Sequence, residues 1–199
     1  MKYTSKKLYY MIKNFIITFF LIGFIYNILI ATDKSLNNES IIENDSISYV
    51  IDSLKSELIN KISDYIPENS DVDPELVVDI CYKHKFDIPL LMSQAQWESH
   101  WGTRGRAVKT NSVFGLGAWD NETKKGYEHV NDCIEDYVLH IKNNYQQNKT
   151  VEQLLTNFVH KNGYRYSSNP EYEKFISGTR NRIIRKSNIY NLQNKLYSI

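Results

Sequence analysis

Hydrophobic positions along the 199-residue chain fall into three regimes. The first is continuous. Phe15 to Ala31 carries no charge and only Thr18 and Asn27 as polar side chains, behind Lys2, Lys6, Lys7 and Lys13. At about 1.5 Å per residue such a run is near the minimum that crosses a hydrocarbon core of ~30 Å. The lysines ahead of it predict a cytoplasmic start at residues 1–14, a transmembrane signal anchor at 15–31 and an extracytoplasmic remainder. Cleavage at Ala31 is the alternative; Leu29 fits such a site poorly and the run is long for a signal peptide. The second regime, Thr32 to Ser48, is polar and acidic and predicts a spacer. From Val50 onward, in the third, apolar residues recur at helical spacing.

Val50, Ile51, Leu54, Leu58, Ile59, Ile62 and Ile66 predict one helix, either a stalk within a linker spanning 32–70 or the first helix of the domain. The domain itself is expected at 71–199. Asp73 and Pro74 read as N-cap and first helical residue of ELVVDICYKH. Asp87 opens IPLLMSQAQWESHW, with Pro89 tolerated in the first turn and Gly102 and Gly105 as the stop. Asn131 or Asp132 caps a helix through Ile134, Tyr137, Val138, Ile141 and Tyr145. Thr150 with Gln153 forms a capping box before a helix carrying Val151, Leu154, Leu155, Phe158 and Val159 and ended by Gly163. Asn169 and Pro170 start the last helix. The exception is Val113–Val130, where Gly115, Gly117 and Gly126 and the string DNETKKG predict a small hairpin or irregular loop. The expected fold is therefore mainly α.

Composition changes this picture little. The 24 basic and 23 acidic residues leave a formal charge of +1, so no whole-chain field points to nucleic acid, and no nucleic-acid motif appears. Cys81 and Cys133 lack the spacing of a zinc site or redox pair; two buried thiols are the favoured reading, one disulfide the alternative. His84, His100, His129, His140 and His160 show no ligand spacing with carboxylates, so neither metal nor cofactor is expected.

Candidate chemistry lies on residues 88–101. At about 100° per residue, Ile88, Leu91, Met92 and Ala95 share one face and Leu90, Trp97 and Trp101 another, with Ser93, Gln96 and His100 on the wet side. Gln94 and Glu98, one turn apart, fall in the gap between the two apolar sectors. A carboxyl there loses hydration, which disfavours its charged form and raises its pKa. That suits a general acid near neutral pH. Pairing of Glu98 with Arg104 or Arg106 at the helix end is the structural alternative.

The string SQAQWESHWGTRGRAVKTNSVFGLGAWD, Ser93 to Asp120, resembles the glucosaminidase domains of bacterial and phage autolysins, the endo-β-N-acetylglucosaminidase type of peptidoglycan hydrolase. Gln94, Ala95, Glu98, Ser99, Gly102, Ala107, Asn111, Phe114 and Gly115 carry the likeness. In NGYRYSSNPEYEKFI, Tyr166, Asn169, Pro170 and Tyr172 match the family's C-terminal signature, and the resemblance spans about Asp71 to Ile184. It implies a lysozyme-like helical fold around a glycan groove, Glu98 as the catalytic acid, and peptidoglycan glycan strands as substrate.

Longer family members carry a larger hairpin with a second acidic residue between the positions of Phe114 and Asn131. Here Asp120 is the candidate second carboxylate, ahead of Glu122 and Glu128. An aspartate capping a turn is the plain alternative, and the substrate's own N-acetyl group is a further source of assistance. Gln94, Phe114, Trp119 and Tyr166 are candidate substrate contacts. Aromatic faces suit sugar rings, with Trp119 the best placed and Trp97 expected to pack inside. The expected reaction is cleavage of the β-1,4 bond after N-acetylglucosamine. The alternatives are a muramidase or lytic transglycosylase on the same fold, or a membrane-anchored module that only grips the wall.

Overall fold

The computed structural model describes residues 46–116 and 126–199. The apolar run at 15–31 and Trp119, Asp120 and Glu122 lie outside them. Among the described residues no helix is long and apolar enough to cross a membrane. Contacts divide the chain into two units, Met1–Tyr49 and Val50–Ile199, and the second holds the fold described below.

That unit is built almost entirely of helices. Within it α1 takes residues 50–63 of a helix that is present from the first described residue, 46, and α2 (Pro74–His84), α3 (Ile88–Ser99) and α4 (Ala107–Thr110) follow. After the loop come α5 (Asp132–Ile141), which runs on as a π-helical turn at Lys142–Gln146, then α6 (Val151–Leu154), α7 (Tyr172–Lys186) and α8 (Ile189–Tyr197). Extended pairing among the described residues amounts to one antiparallel bridge, Val159 with Arg165. The described parts of 113–130, where a hairpin or irregular loop was expected, are irregular.

α3 is the central helix, packed chiefly on α7 and also on α8 and α2. Its start follows the sequence: Asp87 accepts the Leu90 amide at 2.7 Å as N-cap. Arg180 of α7 then grips the same carboxylate twice, Nε to Oδ1 at 3.0 Å and Nη2 to Oδ2 at 2.7 Å. Both side chains are buried. From α8, Gln193 accepts the Ile88 amide at 2.6 Å. A buried charge pair with its remaining lone pairs hydrogen-bonded is a geometry that costs little to keep and much to break.

Leu58 and Ile62 of α1 are fully buried in the same core as Val77, Leu91 and Ile134, so this helix packs as part of the domain rather than standing free as a stalk. Cys81 and Cys133 are buried free thiols. Burial, the main cause, pushes both up, Cys133 to about 11.

Several ends differ from the pattern. α3 stops at Ser99, before either glycine, because His100 and Trp101 both take left-handed backbone, at φ 50° and 60°. Such a residue costs roughly 1–2 kcal/mol, and the reversal folds the Trp101 ring into the core, 1% exposed. α6 keeps its capping box but ends at Leu154, so Phe158 and Val159 enter the bridge strand and Gly163 serves its turn. α7 is followed by a further helix, α8, that was not expected as separate. Ser93, placed on the wet side, is buried, its hydroxyl turned back to the Pro89 carbonyl at 2.5 Å.

Candidate functional site

The C-terminal turn of α3 presents Glu98 at the wall of an open cavity of about 230 Å³, lined also by Ser99, Arg106, Ala107, Thr110, Ser112 and Gly115. The segment 111–116 reaches the cavity at Ser112 and Gly115, and polar side chains staple it in place. Ser99 donates to the Val113 carbonyl at 2.7 Å and accepts the Gly102 amide at 2.8 Å, tying the end of α3 to that segment. Ser112 donates to the Leu116 carbonyl at 3.0 Å. Asn111, left-handed at φ 52°, uses one amide group to donate to the carbonyls of Tyr127 and Glu128 at 3.0 and 2.9 Å. The loop's return limb is thereby held against α4, where the Tyr127 amide donates to the Thr110 carbonyl at 2.8 Å. At Gly126 a Cβ would come within 1.9 Å of that same oxygen, so the approach requires glycine.

Behind Glu98 lies a directed chain of hydrogen bonds. The Tyr172 hydroxyl donates to Glu98 Oε1 at 2.5 Å. Its oxygen accepts from the Gln94 amide nitrogen at 2.8 Å, and Gln94 Oε1 accepts from the Tyr137 hydroxyl. Tyr137, Gln94 and Tyr172 are buried. Aromatic packing fixes their positions. Phe114 stacks on Tyr137 with centroids 3.7 Å apart, while Phe158 stacks on Tyr166 at 4.7 Å and Tyr166 packs on Tyr172 at 5.4 Å. The π-helical turn adds Tyr145, edge-on to Phe158 and Tyr166 at 5.3 Å each, in keeping with π-turns near functional sites.

The electrostatics follow from this asymmetry. Glu98 opens to solvent on the cavity side, while the aromatic wall takes water from its other side. Desolvation, the larger cause, raises its pKa above the ordinary glutamate value; the Tyr172 hydrogen bond favours the ionised form and opposes the rise without cancelling it. Burial drives the hydroxyls of Tyr137, Tyr166 and Tyr172 well up, with the negative charge on Glu98 adding to each. They remain neutral donors at any working pH. A carboxyl with a raised pKa, open to a cavity and oriented by a neutral donor, is equipped to hold a proton and deliver it to a bound oxygen.

The expected residues divide in their placement. Glu98 faces the cavity and accepts from the Tyr172 hydroxyl, and Arg106 lines the same cavity. Gln94 is fully buried and Phe114 is 3% exposed, so both support the site from beneath instead of facing it. Tyr166 is half-buried, its hydroxyl donating to the Phe114 carbonyl at 3.3 Å. Glu128 is exposed, and its backbone carbonyl accepts from Asn111 at the edge of the site region. Trp119, Asp120 and Glu122 fall outside the described residues. Trp97, expected inside, is 43% exposed. The roles of Tyr137 and Tyr172 were not foreseen. Tyr137 carried the signal of an apolar helix position and Tyr172 that of the family's C-terminal signature, and nothing local links Tyr172 to a carboxyl 74 residues earlier. Among the described residues no three histidines, cysteines or carboxylates gather where a metal could be held.

The sequence profile of one family, described as mannosyl-glycoprotein endo-beta-N-acetylglucosaminidase, matches residues 75–185, more than half of the chain and all of the site. No curated protein sequence matches the chain.

Proposed function

The chain belongs to the glucosaminidase family and is a glycoside hydrolase of peptidoglycan; on that premise we propose that it cleaves the β-1,4 bond after N-acetylglucosamine, with Glu98 as general acid on a lysozyme-like helical domain. The observation that carries this reading is the Glu98 carboxyl, raised in pKa by its aromatic surroundings, open to the cavity and oriented by the Tyr172 hydroxyl. Glu98 gives its proton to the glycosidic oxygen as the bond from the anomeric carbon to that oxygen breaks. The departing sugar leaves with a free hydroxyl, and water supplies the hydroxyl that ends on the anomeric carbon and the proton that returns Glu98 to its acid form. The positive charge that develops on the sugar needs a partner, either a carboxylate, with Asp120 first and Glu122 and Glu128 behind it, or the neighbouring N-acetyl oxygen. Trp119 and Tyr166 are the proposed sugar contacts.

The basic residues before Phe15–Ala31 support a membrane anchor that puts the catalytic domain, expected at 71–199 and extended by α1, which shares its core, on the cell-wall side. That location puts the site where its substrate lies.

Product chemistry tests the bond. Mass spectrometry of peptidoglycan digested by the full-length protein is expected to show new reducing ends on N-acetylglucosamine. Reducing muramic ends would make the protein a muramidase, and anhydro-muramic ends a transglycosylase; either result overturns the assignment. Wall binding without digestion would leave only a binding module.

A further inference from the structure

Beside the acid, on the far side of Trp97, a second and larger feature runs along the seam between α3 and α7. Trp97 immediately precedes Glu98, and its ring stacks on Phe175 with centroids 4.4 Å apart and planes 17° from parallel. Both rings are exposed, at 43% and 40%. The stack is the rung beyond the Tyr172–Glu98 hydrogen bond, since Phe175 lies one helical turn after Tyr172. Around it opens a cavity of about 520 Å³ lined by Gln96, Trp97, Lys174, Phe175, Gly178, Thr179 and Arg182. Gln96, Thr179 and Arg182 also line an adjoining cavity of about 140 Å³ that reaches Tyr65 and Trp101. The two make one trough.

Its chemistry is one-sided. Two cations border it and no carboxylate does. Lys174 is exposed and meets Glu171 at 2.9 Å, outside the lining; Arg182 is exposed and pairs with no carboxylate among the described residues. The floor is open at Gly178, where nothing lies within 4 Å of the place a Cβ would take. A glycine inside an exposed helix costs about 1 kcal/mol relative to alanine, and here it leaves room. An apolar platform beside the positive charge of Arg182 and two neutral hydrogen-bonding side chains, Gln96 and Thr179, complements an extended chain that mixes apolar groups, amides and carboxylates. Two exposed aromatic rings with a cationic rim are poorly explained as packing.

We propose that this trough is a subsite for the carboxylate-bearing peptide stem of peptidoglycan, its apolar side chains on the Trp97–Phe175 stack and a stem carboxylate on Arg182. The inference rests on peptidoglycan being the substrate. Position favours it: the platform adjoins the proposed acid in sequence, so a stem hanging from a sugar near the cleaved bond reaches the trough while the glycan passes the Glu98 cavity. The enzyme then reads both parts of its substrate, glycan at Glu98 and peptide along α7.

Matched substrates test this. Full-length protein, its Arg182→Glu and Gly178→Phe variants, and Trp97→Ala are assayed on intact peptidoglycan and on glycan strands stripped of their stems by an amidase. Each variant is expected to lose about tenfold in kcat/KM on stemmed strands, the scale of one charge-assisted contact, and to match wild type on stripped strands. Melting temperature checks the fold. Equal loss on both substrates would overturn the proposal, since the trough would then hold sugar, and so would no loss on either. Binding is read separately in the Glu98→Gln protein by tryptophan fluorescence, with a disaccharide-peptide against the same disaccharide without peptide. Tighter binding of the stemmed fragment, abolished by Arg182→Glu, is expected. Equal affinity overturns the subsite, as does competition by a glycerol-phosphate polymer as strong as that by the stemmed fragment. These arms are independent of the acid. A Glu98→Gln protein that still digests wall sinks Glu98 and leaves the subsite standing.

Discussion

Asp87 and Glu98 sit at opposite ends of α3, about 16 Å apart at about 1.5 Å per residue, and side chains of α7 hold both. Arg180 holds Asp87 and Tyr172 holds Glu98. The difference in partner separates their work. A guanidinium compensates the charge on Asp87, which is thereby free to be buried, to cap the helix and to lock two helices together. Tyr172 offers Glu98 a hydrogen bond but no charge, so desolvation prevails and the proton is held more tightly. One helix therefore carries a structural carboxylate and an acid, and what distinguishes them is the charge on the residue that α7 brings up.

Substitutions at each end should break that contrast in different observables. The largest effect is expected from Glu98→Gln, a fall in reducing-end release of about 10²–10⁴-fold with no loss of melting temperature. A variant that digests wall normally would remove Glu98 from the chemistry. Next is Arg180→Met, which leaves the Asp87 carboxylate buried and unpaired and should cost about 3–5 kcal/mol in denaturant unfolding. The pH profile of whatever activity survives should keep its wild-type limbs, because the acid is at the other end of the helix. Loss within a few tenths of a kcal/mol would show the pair to be dispensable.

Gln94→Leu strips Tyr137 of its acceptor and Tyr172 of one donor inside the core, a loss of about 1–3 kcal/mol. It should also loosen the orientation of Glu98, read as a lower kcat at unchanged pH limbs. The smallest change in rate, and the sharpest in pH, is expected from Tyr172→Phe. Its hydroxyl favours ionised Glu98, so removing it raises the carboxyl's pKa further, and the alkaline limb of the rate profile moves to higher pH. An unmoved limb would mean that Tyr172 does not tune the acid.

Linkage supplies a companion test. Because the folded pKa of Glu98 lies above its unfolded value, its contribution to stability is fully present below the unfolded pKa and is lost as pH rises through the folded one. Stability of Glu98→Gln relative to wild type should therefore improve with rising pH across that window. A difference that shrinks with rising pH contradicts the raised pKa.

What the sequence determined by itself was local. Asp73, Asp87 and the Thr150–Gln153 box set helix starts because caps act within three residues. The period of apolar positions marked the inward faces of α2, α3 and α5. Gln94 and Glu98 stood out because a polar pair in a gap between apolar sectors is visible on one helix. Helix ends were less legible, since α3 reverses at two non-glycine residues whose strain is offset by seating Trp101 in the core. A local pattern does not contain that compensation.

Only the tertiary structure decided which partner each carboxylate meets. Arg180 lies 93 residues from Asp87 and Tyr172 lies 74 from Glu98. Exchanging those partners would exchange a charged group for a neutral one without altering either helix's pattern. The same holds for Trp97, whose apolar character predicted burial and whose place on the α3–α7 seam left it stacked on Phe175 at the surface. Hydrophobic periodicity reports that a face is apolar, and the neighbour that covers or exposes it comes from distant parts of the chain. The pKa of Glu98 arises in the same way, from how much water that packing leaves at one carboxyl.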